Sequence, residues 1–382
     1  MKTVLIFISS TRHSCKQRID GIWRFAKDAG WHIQVVERAF NPVDVARIIG
    51  FWKPVGIIAE CANGADELNA KNFGKIPVVY FDEAFGAKGR GFYIRLDCVG
   101  AVTAAVGELV RGGYTNFAYV GFRLPVYWSK DRGQNFRACV AQAKGTYVGG
   151  FEHDRPLSDI ERKEALAEFL SGLPRPCGVF AANDQVSDEV VTVAKSLGLQ
   201  IPEDIGIIGV DDDVAICETS DPTLTSVHPD FEGGGYRAAE LLAAKMANPN
   251  MKPVQETYRV LGVIRRDSTR ISMKADVDQD VAAAIRFIEQ SAGTGIGVPD
   301  VVKLMDCSRR KAEILFREAT GKSILEAIND VLFESACNLL VQGTAPVSVI
   351  ADRLGVSRGT LDGLFLVRKG VSANVWRKSC NR

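Results

Sequence analysis

The stretch Cys177–Asp212, CGVFAANDQVSDEVVTVAKSLGLQIPEDIGIIGVDD, decides the fold. Gly178–Ala182 is a short apolar run bounded by a polar turn, the pattern of a strand buried on both faces. Asn183 and Asp184 follow, and both residue types favour helix N-caps. Val186, Val190, Val193, Ala194 and Leu197 then recur at helical spacing and form one apolar stripe. Gly198 falls where a left-handed C-cap belongs, and Pro202 bars continuation. Ile205–Val210 is a second buried run, closed by Asp211, Asp212 and Asp213. The stretch is expected to be a strand–helix–strand unit.

Its polar residues fall where such a unit binds ligands. Asn183, Asp184 and Asp211 lie at the carboxyl ends of two expected parallel strands, and open α/β sheets place ligands in the crevice beyond those ends. Carboxylates and an amide there suit a neutral polyhydroxyl ligand. Each hydroxyl bond to a carboxylate contributes roughly 1.5–3 kcal/mol. Asp184 has a second reading, as a helix cap only. Asp211 precedes no clear helix and is the stronger ligand candidate.

Outward from this stretch the alternation continues. Val4–Ile8, His32–Val36, Val55–Ala59, Val78–Phe81 and Phe117–Gly121 read as strands, the fourth ending at Asp82. Ile19–Ala29, Val43–Gly50 and Val99–Val110 read as helices. Strands alternating with helices imply a mostly parallel sheet with right-handed crossovers. There are too many strands for one small domain, so two similar lobes are expected, roughly 1–100 and 100–225. Between the strand at Phe117 and a helix around Phe136–Ala143 lies VYWSKDRGQNF. Trp128, Asp131 and Arg132 are expected in that loop, facing the same crevice. Arg132 carries a planar fork of donors, and Trp128 offers a flat face to the C–H side of a sugar ring. Core packing for Trp128 and an ion pair with Asp131 for Arg132 are the other readings.

At 382 residues the chain has room for two or three domains. Its net charge of +1 points to no partner class. The nine cysteines are scattered without a C-x-x-C, which fits reduced thiols in a cytoplasm better than a disulfide framework or a zinc site. The apolar run after Met1-Lys2 is too short for a signal-peptide core. No run approaches the ~20 apolar residues of a membrane helix. No dinucleotide fingerprint, phosphate loop, nucleophile elbow or metal-ligand spacing occurs, so no cofactor, metal or catalytic residue is implied.

Past Arg259–Ile264, the last expected strand, the pattern changes. Residues 265–270 are polar and basic without periodicity, and residues 269–275 read as a linker. From Asp276 to the end everything reads as helix: Val277–Gln290, Val298–Met305, a helix capped by Ser308 and running through Ala319, Ile324–Val341, Pro346–Leu354, and a last reading helix capped by Ser357. The short helix–turn–helix pattern thus occurs twice, joined by one long helix. Arg309, Arg310, Lys311 and Arg317 make the first reading helix basic, and arginines in the first turn of such a helix reach base edges. Ser357, Arg358 and Thr360 occupy the matching turn of the second. Gly359 and Gly363 interrupt that helix, each at about 1 kcal/mol against alanine.

Two resemblances follow. Residues 1–268 resemble the effector domain of LacI/GalR-type regulators, a fold shared with periplasmic sugar-binding proteins. The matching stretches are RIDGI at 18–22, WSKDRGQNF at 128–136, VFAANDQVSDEV at 179–190, IPEDIGIIGVDDD at 201–213 and DPTLTSVHPDFEGGGYRAAELLAAKM at 221–246. That resemblance places Arg132, Asn183 and Asp211 on sugar-contacting positions and implies a homodimer. Such regulators carry a DNA-binding headpiece before the first strand, and this chain is expected to lack one.

Residues 276–382 resemble the DNA-binding domain of AraC/XylS-type activators, through VVKLMDCSRRKAEILFREATGKS at 301–323, VSVIADRLGVS at 347–357 and GVSANVWR at 370–377. Leu332 stands where that family has an arginine and Ala373 where it has a proline. The second half is one residue short between Gly355 and Phe365. The order of the two parts is that of XylR-like xylose regulators. It implies a transcription regulator binding double-stranded promoter DNA under control of a monosaccharide such as xylose. The competing readings are an enzyme on the same sheet and the sugar-binding protein of a transporter.

Overall fold

The computed structural model describes residues 2–8, 12–37, 42–60, 73–81, 91–269, 279–342 and 345–380. The chain divides into two compact units, Met1–Ile271 and Ser272–Arg382.

The first unit runs β1 (Lys2–Phe7), α1 (His13–Ala29), β2 (Trp31–Val35), α2 (Pro42–Trp52), β3 (Gly56–Glu60), β4 (Val78–Phe81), β5 (Phe92–Leu96), α3 (Cys98–Arg111), β6 (Asn116–Val120), α4 (Tyr127–Gln142), β7 (Thr146–Phe151), α5 (Asp159–Ser171), β8 (Cys177–Ala181), α6 (Asp184–Ser196), β9 (Ile205–Val210), α7 (Val214–Cys217), β10 (Thr225–Pro229), α8 (Phe231–Ala247), β11 (Gln255–Tyr258) and β12 (Val260–Ile264). Two sheets result, in the orders β11-β5-β4-β3-β1-β2 and β12-β10-β9-β8-β6-β7. Every pairing is parallel except β10 with β12. Strands β8 and β9 are buried at every residue, as central strands covered on both faces must be.

The lobes are not sequential halves. The chain crosses between them three times, at 96–98, 229–231 and 258–260. The first lobe therefore takes back α8 and β11, and α8 packs on α1, β3, β4 and β5. The crossings are laced together: Asp97 N–H donates to Tyr258 O at 2.8 Å, and Asp230 N–H to Arg259 O at 3.0 Å. Strand order reverses between β1 and β3 in one lobe and between β6 and β8 in the other. These switch points open the ligand crevice.

Three expectations need correction. Trp128, Asp131 and Arg132 are not in a loop, because α4 starts at Tyr127. Its buried face runs Ser129, Arg132, Gly133, Phe136, Val140, and the polar residues in its first two turns hide the stripe from a hydrophobicity reading. The helix cap before α6 is Asn183, whose side chain accepts from Val186 N–H, and Asp184 is the first helical residue. Thr269, counted with the linker, is buried in the second lobe within hydrogen-bond distance of Thr225 Oγ1 (2.8 Å). Asp82 and linker positions 270–275 lie outside the described residues.

The second unit is helical: α9 (Gln279–Ser291), α10 (Val298–Val302), α11 (Arg309–Thr320), α12 (Ile324–Gln342), α13 (Val347–Arg353), α14 (Arg358–Lys369) and α15 (Ala373–Cys380). It has two cores. Val281, Ile288, Val301, Phe316 and Ile328 fill one, and Leu332, Phe333, Ile350, Leu361 and Phe365 fill the other. The 19-residue α12 supplies both, its first turns to one and its later turns to the other. Leu332 and Ala373 sit in the second core. Gly355 and Gly295, both at positive φ, bring the two halves into backbone contact: a Cβ on Gly355 would lie 2.5 Å from Gly295 N.

Candidate functional site

A cleft of about 270 Å³ opens between the carboxyl ends of the two sheets. Trp128, Arg132, Asn183, Asp184 and Asp211 all line it. Three short segments deliver them: the start of α4 after β6, the start of α6 after β8, and the turn after β9.

Each is held by a definable contact. The Arg132 guanidinium lies 4.8 Å over the Trp128 ring and donates to Ala182 O, and no ion pair with Asp131 is formed. Trp128 also packs on Phe122, with centroids 5.1 Å apart, so its ring is braced while one side meets the cleft. Asp184 is 1% exposed. Its Oδ1 accepts from Ser226 Oγ–H at 2.6 Å and its Oδ2 from Asp213 N–H at 2.8 Å. Burial raises its carboxyl well above the ordinary aspartate range, and the neighbouring Asp211 charge adds to the rise.

The turn 211–213 is strained. Asp211 has φ 116° and Asp212 φ 48°, conformations that cost on the order of 1–3 kcal/mol each for a residue with a side chain. Asp211 N–H donates to Val227 O at 3.0 Å and Asp212 N–H to Ser226 Oγ at 3.0 Å. Asp213 caps α7 and also lines the cleft. The Asp212 side chain points away, to Arg266 Nη2 at 2.9 Å and His228 Nδ1 at 3.0 Å. Burial works to raise the Asp212 carboxyl, but the bonds from His228 and Arg266 outweigh it, and it lies below the ordinary aspartate range.

The wall supplied by the first lobe escaped the sequence reading. Arg18, 4% exposed, donates from Nη1 to Glu60 Oε1 at 3.1 Å and from Nη2 to the Tyr258 hydroxyl at 2.7 Å. Its guanidinium lies 4.9 Å from the Phe81 ring and 5.1 Å from the Phe231 ring. Arg12 also donates to Glu60. Arg95 Nη1 reaches the Tyr127 hydroxyl at 2.8 Å and so joins the lobes across the cleft. The signal was available for Glu60, which ends β3 as Asp211 follows β9.

In the second unit, Ser308 caps α11 through Lys311 N–H, and Arg309, Arg310, Lys311 and Arg317 are exposed along that helix. Ser357 caps α14 through Thr360 N–H, with its Oγ 2.8 Å from Thr360 Oγ1. Arg358 lies 3.6 Å from Asp362. Both hydroxyls of that turn are therefore engaged in the cap.

Among the described residues, no group of acidic, histidine or cysteine side chains is arranged to hold a metal ion, and no helix is long and apolar enough to cross a membrane.

Residues 106–269 match the family model described as periplasmic binding protein-like domain. The xylose operon regulatory protein of Escherichia coli K12 is 29% identical over 269 residues, 69% of this chain and 67% of that protein. The transcriptional regulator GntR of Pseudomonas aeruginosa is 31% identical over 203 residues, 51% of this chain and 56% of that protein. A solved structure of the xylose-binding transcription activator xylR superposes over 99% of this chain and 98% of its own, with a TM-score of 0.58 and 23% identity. The chain thus carries a two-lobed periplasmic-binding-protein-like domain followed by a helical region, and its relatives are transcription regulators.

Proposed function

We propose that this protein is a cytoplasmic transcription regulator that binds a monosaccharide such as xylose in the cleft of its first unit and double-stranded promoter DNA through its second. The observation that carries the reading is the convergence of Arg132, Asn183 and Asp211 on one small cleft at the switch points of both sheets. Carboxylate acceptors, arginine donors and a braced indole face suit a neutral polyol. The regulator relatives support the same reading, and none of those described above is an enzyme or a transport protein.

In the second unit, α10–α11 and α13–α14 are read as two helix-turn-helix units of AraC/XylS type on the shared α12. Arg309 and Arg310 are the base-contacting candidates. Ser308, Lys311 and Arg317 are the further DNA-contact candidates on α11, and Ser357, Arg358 and Thr360 those at the start of α14. Two such units on one long helix suit successive major grooves, about 10 base pairs apart. A homodimer would bring two of these pairs to repeated DNA sites.

Calorimetric titration of the full chain with D-xylose, L-arabinose, D-ribose and D-glucose, with and without promoter DNA, tests this. Sugar and DNA must change each other's affinity by one common factor, and couplings of this kind are about 1–3 kcal/mol. Mutual indifference, or consumption of the sugar, overturns the reading.

A further inference from the structure

The strained turn after β9 is held from behind by a residue far away in sequence. Arg266 lies beyond the last strand, five residues before the end of the first unit. It is 8% exposed, and neither it nor Asp212 lines the cleft among the described residues. Its guanidinium is shared three ways. Nη2 donates to Asp212 Oδ1 at 2.9 Å, Nε to Glu218 Oε1 at 2.6 Å and Nη1 to Leu224 O at 2.9 Å. Its own N–H donates to Thr225 Oγ1 at 2.9 Å.

The backbone around it is sewn into the same lobe. Ser268 N–H donates to Thr223 O at 2.9 Å, and Ser268 Oγ–H to Ile207 O on β9 at 2.6 Å.

Two consecutive aspartates at positive φ persist only where the surroundings over-determine them. Here Asp211 and Asp213 line the cleft, while the Asp212 side chain turns behind it to Arg266 and to His228 Nδ1 at 3.0 Å, so the middle side chain anchors the turn from the far side. A lysine could keep the charge of Arg266. It could not serve Asp212, Glu218 and Leu224 O at once, because it lacks the planar fork.

We propose that Arg266 is a positioning residue for the effector cleft: by gripping Asp212 it fixes the turn that presents Asp211 and Asp213 to the ligand. This rests on the sugar-binding reading above. It also puts the grip a few positions before the end of the first unit in sequence.

The test uses the full chain and calorimetry with D-xylose, L-arabinose, D-ribose and D-glucose. Arg266→Lys should weaken the binding of whichever of these sugars the wild type takes by tenfold or more, while far-UV circular dichroism and a cooperative melt stay intact. Asp211→Ala should weaken it as well. The pair should not multiply: with Asp211 already removed only Asp213 is left to position, so Arg266→Lys should cost clearly less than the tenfold it costs in the wild type. A purely structural role would not give that non-additivity. Should Arg266→Lys fail to fold, Asp212→Ala removes the same grip from the other side, together with the His228 contact, with the same expectations.

Affinity within twofold of wild type in a folded Arg266→Lys or Asp212→Ala chain overturns the inference, as do losses that multiply in the double variant. Binding of none of the four sugars by the wild type overturns the sugar reading, and this inference with it.

Discussion

Asp211 and Asp184 lie on neighbouring strand ends, yet the fold assigns them different physics. Asp211 stands in the cleft on a strained turn, whereas both Asp184 oxygens already accept hydrogen bonds inside the lobe. Asp211→Ala removes a charge-assisted acceptor and should weaken sugar binding by about 1.5–3 kcal/mol, roughly tenfold or more. Unchanged affinity by titration calorimetry, with the fold intact, would make Asp211 structural. For Asp184 the observable is stability against pH. Its carboxyl is raised in the folded chain, first by burial and then by Asp211. The native state therefore keeps a proton that the unfolded chain has released. The stability this gives is complete below the unfolded aspartate range and is lost as pH rises through the folded value. Asp184→Asn should flatten that part of the profile. Urea denaturation at a series of pH values from about 4 upward should show the variant gaining on the wild type as pH rises.

Among elements, α11 and α14 occupy corresponding places in the two halves of the second unit and differ in quality. Helix α11 has a serine cap, a left-handed glycine at Gly321 and three exposed arginines. Arg309→Ala and Arg310→Ala should each cost about 1–3 kcal/mol of DNA affinity and relax sequence preference. Arg317→Ala should weaken all sequences alike and reduce the salt slope by about one ion. Mobility-shift titrations on matched and scrambled DNA at several salt concentrations separate the two behaviours. Helix α14 forms despite Gly359 and Gly363. Nothing lies within 4 Å of a Cβ placed on Gly363, so Gly363→Ala should stabilise the unit by up to about 1 kcal/mol. Gly355→Ala should do the reverse, because its Cβ would collide with the Gly295 backbone. Melting temperatures of the two variants should move in opposite directions. Asp330 on α12 ties the halves together through ion pairs with Lys322, before α12, and Arg368, in α14. Burial works to raise that carboxyl, yet the two cations hold it below the ordinary range.

For the whole molecule, two units joined by one stretch of chain make a switch only if something links the cleft to that stretch. Arg266, the proposed positioning residue, has one end of its network on the cleft's turn and stands five positions before the end of the first unit in sequence. The Arg95–Tyr127 bond across the cleft is a second element that any opening of the lobes must break. Association is the remaining large-scale property. Sedimentation of the full chain at micromolar concentration should give a dimer with and without D-xylose, and a monomer in both would remove the two-site reading of DNA.

The sequence by itself determined the fold class and the polar end of one lobe. Buried runs such as Gly178–Ala182 and Ile205–Val210 leave little freedom, and a carboxylate just past such a run must face a crevice. It also determined the change from alternating to helical pattern near residue 276, because helical spacing is a local property. Only the tertiary structure decided what depends on distant partners. The start of α4 was illegible because Ser129, Arg132 and Gly133 form a buried face without being apolar. The role of Glu60 depends on Arg12 and Arg18, more than 40 positions away in sequence. The return of α8 and β11 to the first lobe follows from pairing with β5, which no local pattern encodes. Asp212 and Arg266 read as one more acid and one more base in the sequence. They stand 54 positions apart, and the folding of the chain between them makes them a pair.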